Sequence, residues 1–233
     1  MTLVLILRAW GKVRPIEVRG LDVVQIPVVR TVPNEDVIRG VRLSGVDYVI
    51  VMSSLVAKYM SSKLRSELDG STKIIGVGPT TCNAIKELGL PCDMPSEYSS
   101  SGIVSYMRGF RPCRVVVLRS MRGSDLIRRG LTELGFEVVE YGVYDVIIDE
   151  VNAALACRLI EYADYVVFMS PMTYEAVRRC VGDRLGSKFV IAIGSTTASR
   201  IKEDGIRVLT PSEYTQEGVL NLINQLINSE LQD

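Results

Sequence analysis

Short apolar runs, rich in valine and isoleucine, alternate along the chain with longer stretches in which apolar residues recur at helical spacing. Within the runs, polar and apolar positions do not alternate. That pattern is typical of strands covered on both faces, as in a parallel sheet. It predicts strands at Leu3–Leu7, Val23–Ile26, Tyr48–Met52, Lys73–Val77, Arg114–Leu118, Val138–Tyr141, Tyr165–Met169, Phe189–Ile193 and Val208–Leu209.

The helical stretches between these strands end in a recurrent way. Glycine follows the last turn at Gly89, Gly135 and Gly205, where a left-handed backbone carries no Cβ penalty. Strand–helix–strand repetition of this kind predicts a doubly wound α/β sheet. The predicted helices are Leu55–Leu68, Thr80–Leu88, Asp125–Leu134, Ala153–Tyr162, Tyr174–Val181 and Thr196–Asp204.

The chain also contains an internal duplication. The 32 residues from Gly76 to Met107 align without a gap with those from Ala192 to Ile223, and twelve positions are identical. Upstream, DYVIVMSS pairs with DYVVFMSP, GLDVVQIPVV with GFEVVEYGVY, and LILR with VVLR. The chain is therefore two copies of one α/β unit of about 110 residues, a period too long for a solenoid.

Both copies place small hydroxyl residues at the strand-to-helix junctions, where open α/β sheets bind their ligands. Free helix N–H groups, the positive end of the helix dipole and a hydroxyl together form an anion site. Plain helix capping explains any single junction as well, because Ser and Thr are favoured N-caps and Pro is favoured at the first helical position. The candidate residues are Ser53, Ser54, Gly78, Thr80, Thr81, Ser170, Pro171, Gly194, Thr196 and Thr197.

Two arginines and a repeated tetrapeptide are further candidates. Arg8 ends the first predicted strand and Arg122 lies on a strand-to-helix loop; each either contacts an anion or belongs to a solvated face. Pro-Ser-Glu-Tyr occurs at Pro95 and at Pro211. Its Glu and Tyr could serve as acid–base groups, but we predict a turn whose Ser or Thr caps the following helix.

Composition narrows the chemistry. The 27 basic residues balance 27 acidic ones, so no global field favours nucleic acid or an anionic membrane, and no apolar run is long enough to cross a bilayer. No histidine is present, which excludes Ser-His-Asp and Cys-His catalysis and the commonest metal ligand. The five cysteines form no C-x-x-C pair and are expected to be thiols rather than disulfides or zinc ligands. Nothing directs export, so we expect a cytoplasmic protein. We also expect it to be a monomer.

The order of these pieces resembles the uroporphyrinogen-III synthase family over essentially the whole chain. The matching pieces are Leu7-Arg8, VIVMSS, GVGPTTCNAIKELG, LRSMRGSDLIRRGLTELGFEV, Val143-Tyr144, VVFMSP, AIGSTTASRIKEDG and PSEYTQEGVLNLI. No single piece is decisive, but the ordered set at the family's spacing is specific.

The resemblance implies two flavodoxin-like, doubly wound parallel-sheet domains joined by a two-stranded linker. It also implies that the domains are not the two repeats. Residues 1–30 together with 151–233 would form one domain and residues 33–145 the other, with linkers at about 30–33 and 145–151.

The implied activity is that of a cofactor-free lyase of tetrapyrrole and haem biosynthesis. Hydroxymethylbilane, a linear tetrapyrrole, loses water and closes to uroporphyrinogen III with its last ring inverted, through a spiro intermediate, in the cleft between the domains. Because the hydroxyl leaves easily, the main task is to hold eight carboxylates in the conformation that favours inverted closure. The implied partner is this small molecule alone, with no metal, nucleic acid or membrane.

The resemblance also assigns roles to residues. The ten junction residues become substrate-binding candidates, with Gly78 and Gly194 permitting close backbone approach, and Arg8 and Arg122 are lesser candidates. Some members have a tyrosine just before the Ser-Pro, proposed to help the hydroxyl leave. This chain has Met169 there, and Tyr174 is only a weak substitute.

Two other functions remain open on the residues alone. A non-catalytic two-domain module that closes on a polycarboxylate would show the same duplication. An enzyme acting on a phosphorylated metabolite would suit the Gly-x-Thr-Thr loops, although these lack the spacing and the Gly-Lys of a Walker motif.

Overall fold

The computed structural model describes residues 2–68 and 70–230, and strands and helices alternate along them. The strands are β1 (Thr2–Ala9), β2 (Leu21–Pro33), β3 (Tyr48–Val51), β4 (Lys73–Gly76), β5 (Arg114–Ser120), β6 (Glu137–Ile148), β7 (Tyr165–Phe168) and β8 (Phe189–Ala192). The helices are α1 (Glu35–Gly40), α2 (Ser54–Tyr59), α3 (Ser61–Glu67), α4 (Pro79–Lys86), α5 (Ser100–Met107), α6 (Leu126–Glu133), α7 (Glu150–Leu159), α8 (Pro171–Val181), α9 (Ser195–Lys202) and α10 (Gln216–Glu230), with a 3-10 turn at Gly182–Ser187.

The chain divides into two compact units. Unit 1 comprises residues 1–30 and 147–233, and unit 2 comprises residues 31–146. The two longest strands, β2 and β6, each run from one unit into the other. Neither unit coincides with a repeat, since each takes strands from both copies of the duplicated sequence.

Unit 1 is built on four parallel strands in the order β2-β1-β7-β8. Val4 and Ile6 of β1 pack with Val167 of β7 against Val219 and Ile223 of α10, all of them buried. The apolar runs thus sit in the middle of the sheet, where both neighbours are strands.

Unit 2 is built on four parallel strands in the order β4-β3-β5-β6. Successive residues of β3 belong to different cores: Val49 and Val51 pack in a cluster with Val56 of α2, whereas Ile50 packs in a second cluster with Ile103 of α5. The sheet is therefore covered on both faces, which is why its strands show no alternation.

The predicted α/β architecture with parallel strands is confirmed, and most boundaries fall within a few residues of those predicted. Four details differ. β2 and β6 run seven residues past their predicted ends at Ile26 and Tyr141, to Pro33 and Ile148. Val208–Leu209 makes only an isolated bridge, Ile191 to Leu209, because the chain meets the sheet edge over a single residue. The helix predicted over 55–68 breaks at Met60 into α2 and α3, and α1 was not predicted.

The cysteine prediction was wrong. Cys82 is bonded to Cys92 and Cys157 to Cys180, with Cα–Cα distances of 5.4 and 5.9 Å, within the usual range for disulfides. Cys113 is free. The first bond fastens α4 to the segment after it, and the second joins α7 to α8. Spacing in the sequence gave no sign of either bond, because Cys92 meets Cys82 only when the segment after α4 folds back on that helix, and Cys157 meets Cys180 only when α7 packs against α8.

Serine at both Cys157 and Cys180 is expected to lower the free energy of unfolding by about 3 kcal/mol, because a cross-link over 23 residues restricts the unfolded chain. Chemical denaturation of the variant against wild type measures the loss. Cys113→Ser is the matched control and should cost far less, since that thiol is unbonded. Thiol titration of the denatured, unreduced wild-type protein should find one reactive group; five would contradict the assignment.

Candidate functional site

In unit 2, two helices begin where parallel strands end. Ser53 follows β3 and caps α2: its Oγ accepts a hydrogen bond from the Val56 amide at 3.4 Å and lies 3.2 Å from the Tyr144 hydroxyl. Ser54 is the first residue of the helix. Gly78 follows β4 and precedes α4, and here no side chain caps the helix. The two junctions therefore differ, because the Ser53 oxygen is already used.

Unit 1 repeats this arrangement at the ends of β7 and β8. Ser170 caps α8 in a capping box, accepting from the Thr173 amide at 3.3 Å while its own amide donates to Thr173 Oγ1 at 3.2 Å. Pro171 occupies the first helical position. Gly194 precedes α9, again without a side-chain cap. Helix capping thus accounts for Ser53 and Ser170, and it leaves the two glycine junctions unexplained.

At the glycine junctions the first helix amides have no side-chain cap. The first backbone bond of α4 runs from the Cys82 amide to the Gly78 carbonyl, and that of α9 from the Ala198 amide to the Gly194 carbonyl. The amides before these bonds have no partner within the helix. Thr80 and Thr196 are exposed at the second helical position, whereas Thr81 and Thr197 are buried. Each junction combines amides without a partner inside the helix, the positive dipole end and an exposed hydroxyl, which suits an anion. The junction at α4 offers one amide fewer than that at α9, because its first residue is Pro79.

The repeated tyrosines lie against these glycines. A Cβ at Gly78 would approach Tyr98 Cβ and Cγ to 3.1 Å, and one at Gly194 would approach the Tyr214 ring to 3.1 Å. Both tyrosines remain more than half exposed, at 58% and 61%. The sequence suggested them as possible acid–base groups but favoured a turn, and it did not place them beside the glycines. Their recurrence in Pro-Ser-Glu-Tyr was the available signal, and an exposed aromatic ring beside an anion site suits a ligand with apolar rings and carboxylates.

The turn predicted for Pro-Ser-Glu-Tyr is confirmed. Ser99 Oγ accepts from the Gly102 amide at 2.9 Å, and Thr215 Oγ1 accepts from the Gly218 amide at 3.0 Å. These caps hold the start of α5 and α10 at the same place in each unit.

The two candidate arginines are held differently. Arg122 is engaged inside unit 2, where its Nε donates to Asp145 at 2.7 Å and to the Val146 carbonyl at 2.9 Å. Arg8 is buried at the end of β1 and donates from Nη1 to the side-chain oxygens of Gln25 and Gln216. An anion would have to compete with Asp145 for Arg122, whereas the hydrogen-bond partners of Arg8 within residues 2–68 and 70–230 are neutral.

The surroundings of Tyr174 do not support the role of a general acid. Its side chain is 1% exposed, and its hydroxyl donates to Asp204 at 2.5 Å. Burial and this hydrogen bond raise the pKa of Tyr174 to about 12. Arg178, which donates to both oxygens of Asp204, and Tyr174 hold the pKa of that carboxyl well below its usual range. The phenolic proton is thus committed to a core hydrogen bond.

A cavity of about 970 Å³ in unit 1 lies away from the glycine junctions. It opens beside Phe189, the first residue of β8, and Gly205, which follows α9, so it sits at the amino ends of the strands. Of the candidate residues only Tyr174 lines it. Among residues 2–68 and 70–230, no group of three or more Cys, Asp or Glu side chains is arranged to hold a metal, and no helix is long and apolar enough to cross a membrane.

Comparisons with known proteins agree on one family. The model of the family described as uroporphyrinogen-III synthase HemD matches residues 12–221. A candidate uroporphyrinogen-III synthase of Archaeoglobus fulgidus is 31% identical over 189 residues, which is 76% of this chain and 78% of that protein.

Two solved structures share the fold. A mutant uroporphyrinogen III synthase from the extremely thermophilic bacterium Thermus thermophilus superposes with a TM-score of 0.64 at 16% identity, covering 100% of both chains. The synthetase from Helicobacter pylori 26695 gives a TM-score of 0.64 at 14% identity, covering 97% of this chain and 100% of that one. The family match over 210 consecutive residues, from 12 to 221, and the archaeal relative decide the assignment. This chain belongs to the uroporphyrinogen-III synthase family.

Proposed function

We propose that the chain closes hydroxymethylbilane to uroporphyrinogen III, with inversion of the last ring and loss of water, and that both units bind carboxylates of this substrate. The family match over residues 12–221 carries the proposal. The repeated glycine junctions support it, because a linear tetrapyrrole brings eight carboxylates and each junction can bind one of them. The proposal places the reaction in the cytoplasm and within a single copy of the chain.

The proposed ring closure needs few acid–base groups from the protein. The C–O bond of the hydroxymethyl group breaks, and the oxygen leaves with a proton as water. The freed carbon bonds to the substituted α-carbon of the last ring, which gives the spiro intermediate implied by the family resemblance. The last ring then breaks its original bond to its bridging carbon, re-forms that bond through its free α-carbon and releases the proton carried there, so that the ring is inverted and the macrocycle is closed. No electron donor or acceptor is consumed, and the proposal invokes no cofactor or metal. A chain without histidine can support this reaction if it restricts the conformations of the substrate.

We assign that restriction to the strand-to-helix junctions. The uncapped amides at Gly78 and Gly194, with Thr80 and Thr196 beside them, would bind carboxylates, since helix amino termini favour negative charge by roughly 0.3–1 kcal/mol each, and up to ~2 when partly buried. Tyr98 and Tyr214 would contact pyrrole rings. Ser53, Ser54, Ser170 and Pro171 would shape the neighbouring surface, and Thr81 and Thr197, being buried, would support the loops. Arg122 would contribute only after leaving Asp145.

The non-catalytic alternative makes a different prediction. A polycarboxylate-binding module would bind hydroxymethylbilane and slow its spontaneous closure, whereas a synthase must speed its consumption in proportion to protein concentration. Freshly made hydroxymethylbilane incubated with and without the protein, sampled over time and oxidised for chromatography, separates the two. We expect faster consumption with saturation at high substrate; consumption at the spontaneous rate would contradict the proposal.

A further inference from the structure

The duplication places an arginine at the same point in both units. Arg8 ends the run LILR in β1, and Arg119 ends the run VVLR in β5. The registers agree: Arg8 lies opposite Pro27 of β2 and Arg119 opposite Gly142 of β6, which are equivalent residues of the repeat. A register shift follows directly after each arginine. The two guanidinium groups therefore start from equivalent backbone positions.

In unit 2 the arginine has its counter-ion. Arg119 Nη2 lies 3.2 Å from Glu140 Oε2, and these side chains are only 12% and 13% exposed. Asp125 adds a second carboxylate at 3.7 Å. Arg119 Nη1 and Glu140 Oε1 are buried without a hydrogen bond, but the charge is balanced. Gly123 packs so closely that a Cβ there would lie 2.2 Å from Arg119 Nη1. This arginine is closed off and neutralised.

In unit 1 the counter-ion is missing. When the repeats are aligned, GLDVVQ (20–25) matches GFEVVE (135–140), so Gln25 stands where unit 2 has Glu140. Arg8 is 7% exposed, and its Nη1 donates to the amide oxygens of Gln25 and of Gln216, the latter at 2.8 Å. Its Nε is buried without a hydrogen-bond partner. Within the described ranges 2–68 and 70–230, no salt bridge to Arg8 is formed.

Burying the charge of Arg8 without a counter-ion is electrostatically unfavourable. A buried charge without a partner is strongly unfavourable, and two amide dipoles compensate it only in part. Burial, and secondarily the nearby cation of Arg14, lower the pKa of Arg8. Arg14 is held close because its carbonyl accepts from the amide of Gln25. Among the described residues, unit 1 thus carries a buried arginine without a salt bridge, with a second cation nearby, where unit 2 carries an ion pair.

The position of Arg8 matches the proposed binding edge. The Met169 amide donates to the Leu7 carbonyl at 3.1 Å, so Arg8 lies beside the end of β7, where Ser170 starts α8. Its partner Gln216 is the first residue of α10 and lies two residues after Tyr214. A charged oxygen in place of the Gln216 amide oxygen would form the stronger, charge-assisted hydrogen bond.

We propose that Arg8 binds one carboxylate of the tetrapyrrole and that Arg119 binds none, so that the substitution of Glu by Gln at position 25 makes the two units unequal. This rests on the proposed function. Because Arg8 is open to a carboxylate and Arg119 is already paired, a directional linear substrate would be held with one chosen end at Arg8. Gln25, Gln216 and Arg14 are positioning residues of this subsite.

Gln25→Glu tests the proposal by giving unit 1 the ion pair of unit 2. We expect the KM for hydroxymethylbilane to rise about tenfold or more, the equivalent of ~1.4 kcal/mol, while the thermal midpoint stays or increases. Gln225→Glu is the matched control: it makes the same charge change at an exposed position of α10 and should leave KM within twofold of wild type. A wild-type KM for Gln25→Glu overturns the proposal.

A second variant and a direct binding probe keep the test independent of folding and turnover. Arg8→Gln removes the uncompensated charge, and it should fold and bind the octacarboxylate uroporphyrin III about tenfold more weakly, as judged by quenching of porphyrin fluorescence. Undiminished binding by folded Arg8→Gln also overturns the proposal. If wild type forms no type III isomer, the proposed function fails, yet the uroporphyrin titration still reports on Arg8. Equal losses from Gln25→Glu and Glu140→Gln would contradict the inequality of the units.

Discussion

The double substitution Thr80→Asp and Thr196→Asp is expected to lower kcat/KM for hydroxymethylbilane by roughly 100-fold without destabilising the fold, at about tenfold, or 1.4 kcal/mol, per site. Both threonines are exposed at the second position of helices that no side chain caps. An aspartate there favours the helix dipole by roughly 0.3–1 kcal/mol. The same carboxylate repels the carboxylates of the substrate. Stability and activity should therefore move in opposite directions.

Steady-state kinetics with chemical denaturation of the same samples measures both effects. Thr80→Asn with Thr196→Asn is the matched control, because asparagine has nearly the same shape as aspartate and no charge; it should lose at most a few-fold in kcat/KM. If the aspartate variant kept the wild-type kcat/KM, the glycine junctions would not bind the substrate. A loss of stability in that variant would contradict the helix-dipole argument.

Gly102→Ala is expected to be among the most damaging single-methyl changes in the chain, with a loss of at least about 2–3 kcal/mol in the free energy of unfolding. A Cβ at Gly102 would lie 1.9 Å from the carbonyl oxygen of Glu97, which is backbone and cannot rotate away. At Gly218 the corresponding distance to the Glu213 oxygen is 2.2 Å. The substitution must therefore displace the Pro-Ser-Glu-Tyr turn from its contact with α5.

Urea denaturation of Gly102→Ala against Gly109→Ala isolates this contact. Gly109 lies in the same unit, has no positive φ, and would place its Cβ no closer than 3.9 Å to the Tyr106 carbonyl oxygen. Because Tyr98 sits in the displaced turn and against Gly78, the loss of stability should come with a loss of activity. Equal stability of the two variants would show that the turn yields easily.

The sequence was most informative about elements whose environment is uniform. Strands such as β3 and β5 are covered on both faces, so their valine and isoleucine runs predicted both their positions and their parallel pairing. The sequence was least informative where the end of an element depends on a single contact. Leu209 reaches the sheet through one bridge, and the break at Met60 depends on packing in unit 2 rather than on a glycine or proline.

The candidate site followed the same division. The hydroxyl-rich junctions were visible because the duplication marks them twice. The hydrogen bond of Tyr174 to Asp204 could not be predicted from the sequence, because the two residues are 30 positions apart and meet only when α8 packs beside α9. The disulfides were hidden for the same reason. The difference between Gln25 and Glu140 is visible when the two repeats are aligned. Its consequence became clear only from the strand pairing, which places each of these residues near an arginine.

The isomer composition of the product tests the central claim most directly. Hydroxymethylbilane closes without an enzyme to the uninverted type I isomer, so the protein must redirect the reaction as well as speed it. With increasing wild-type protein, chromatography of the oxidised products should show uroporphyrin III rising to dominate and type I falling in step. Product that remains type I at every protein concentration would contradict the assignment of this chain as a functioning uroporphyrinogen-III synthase.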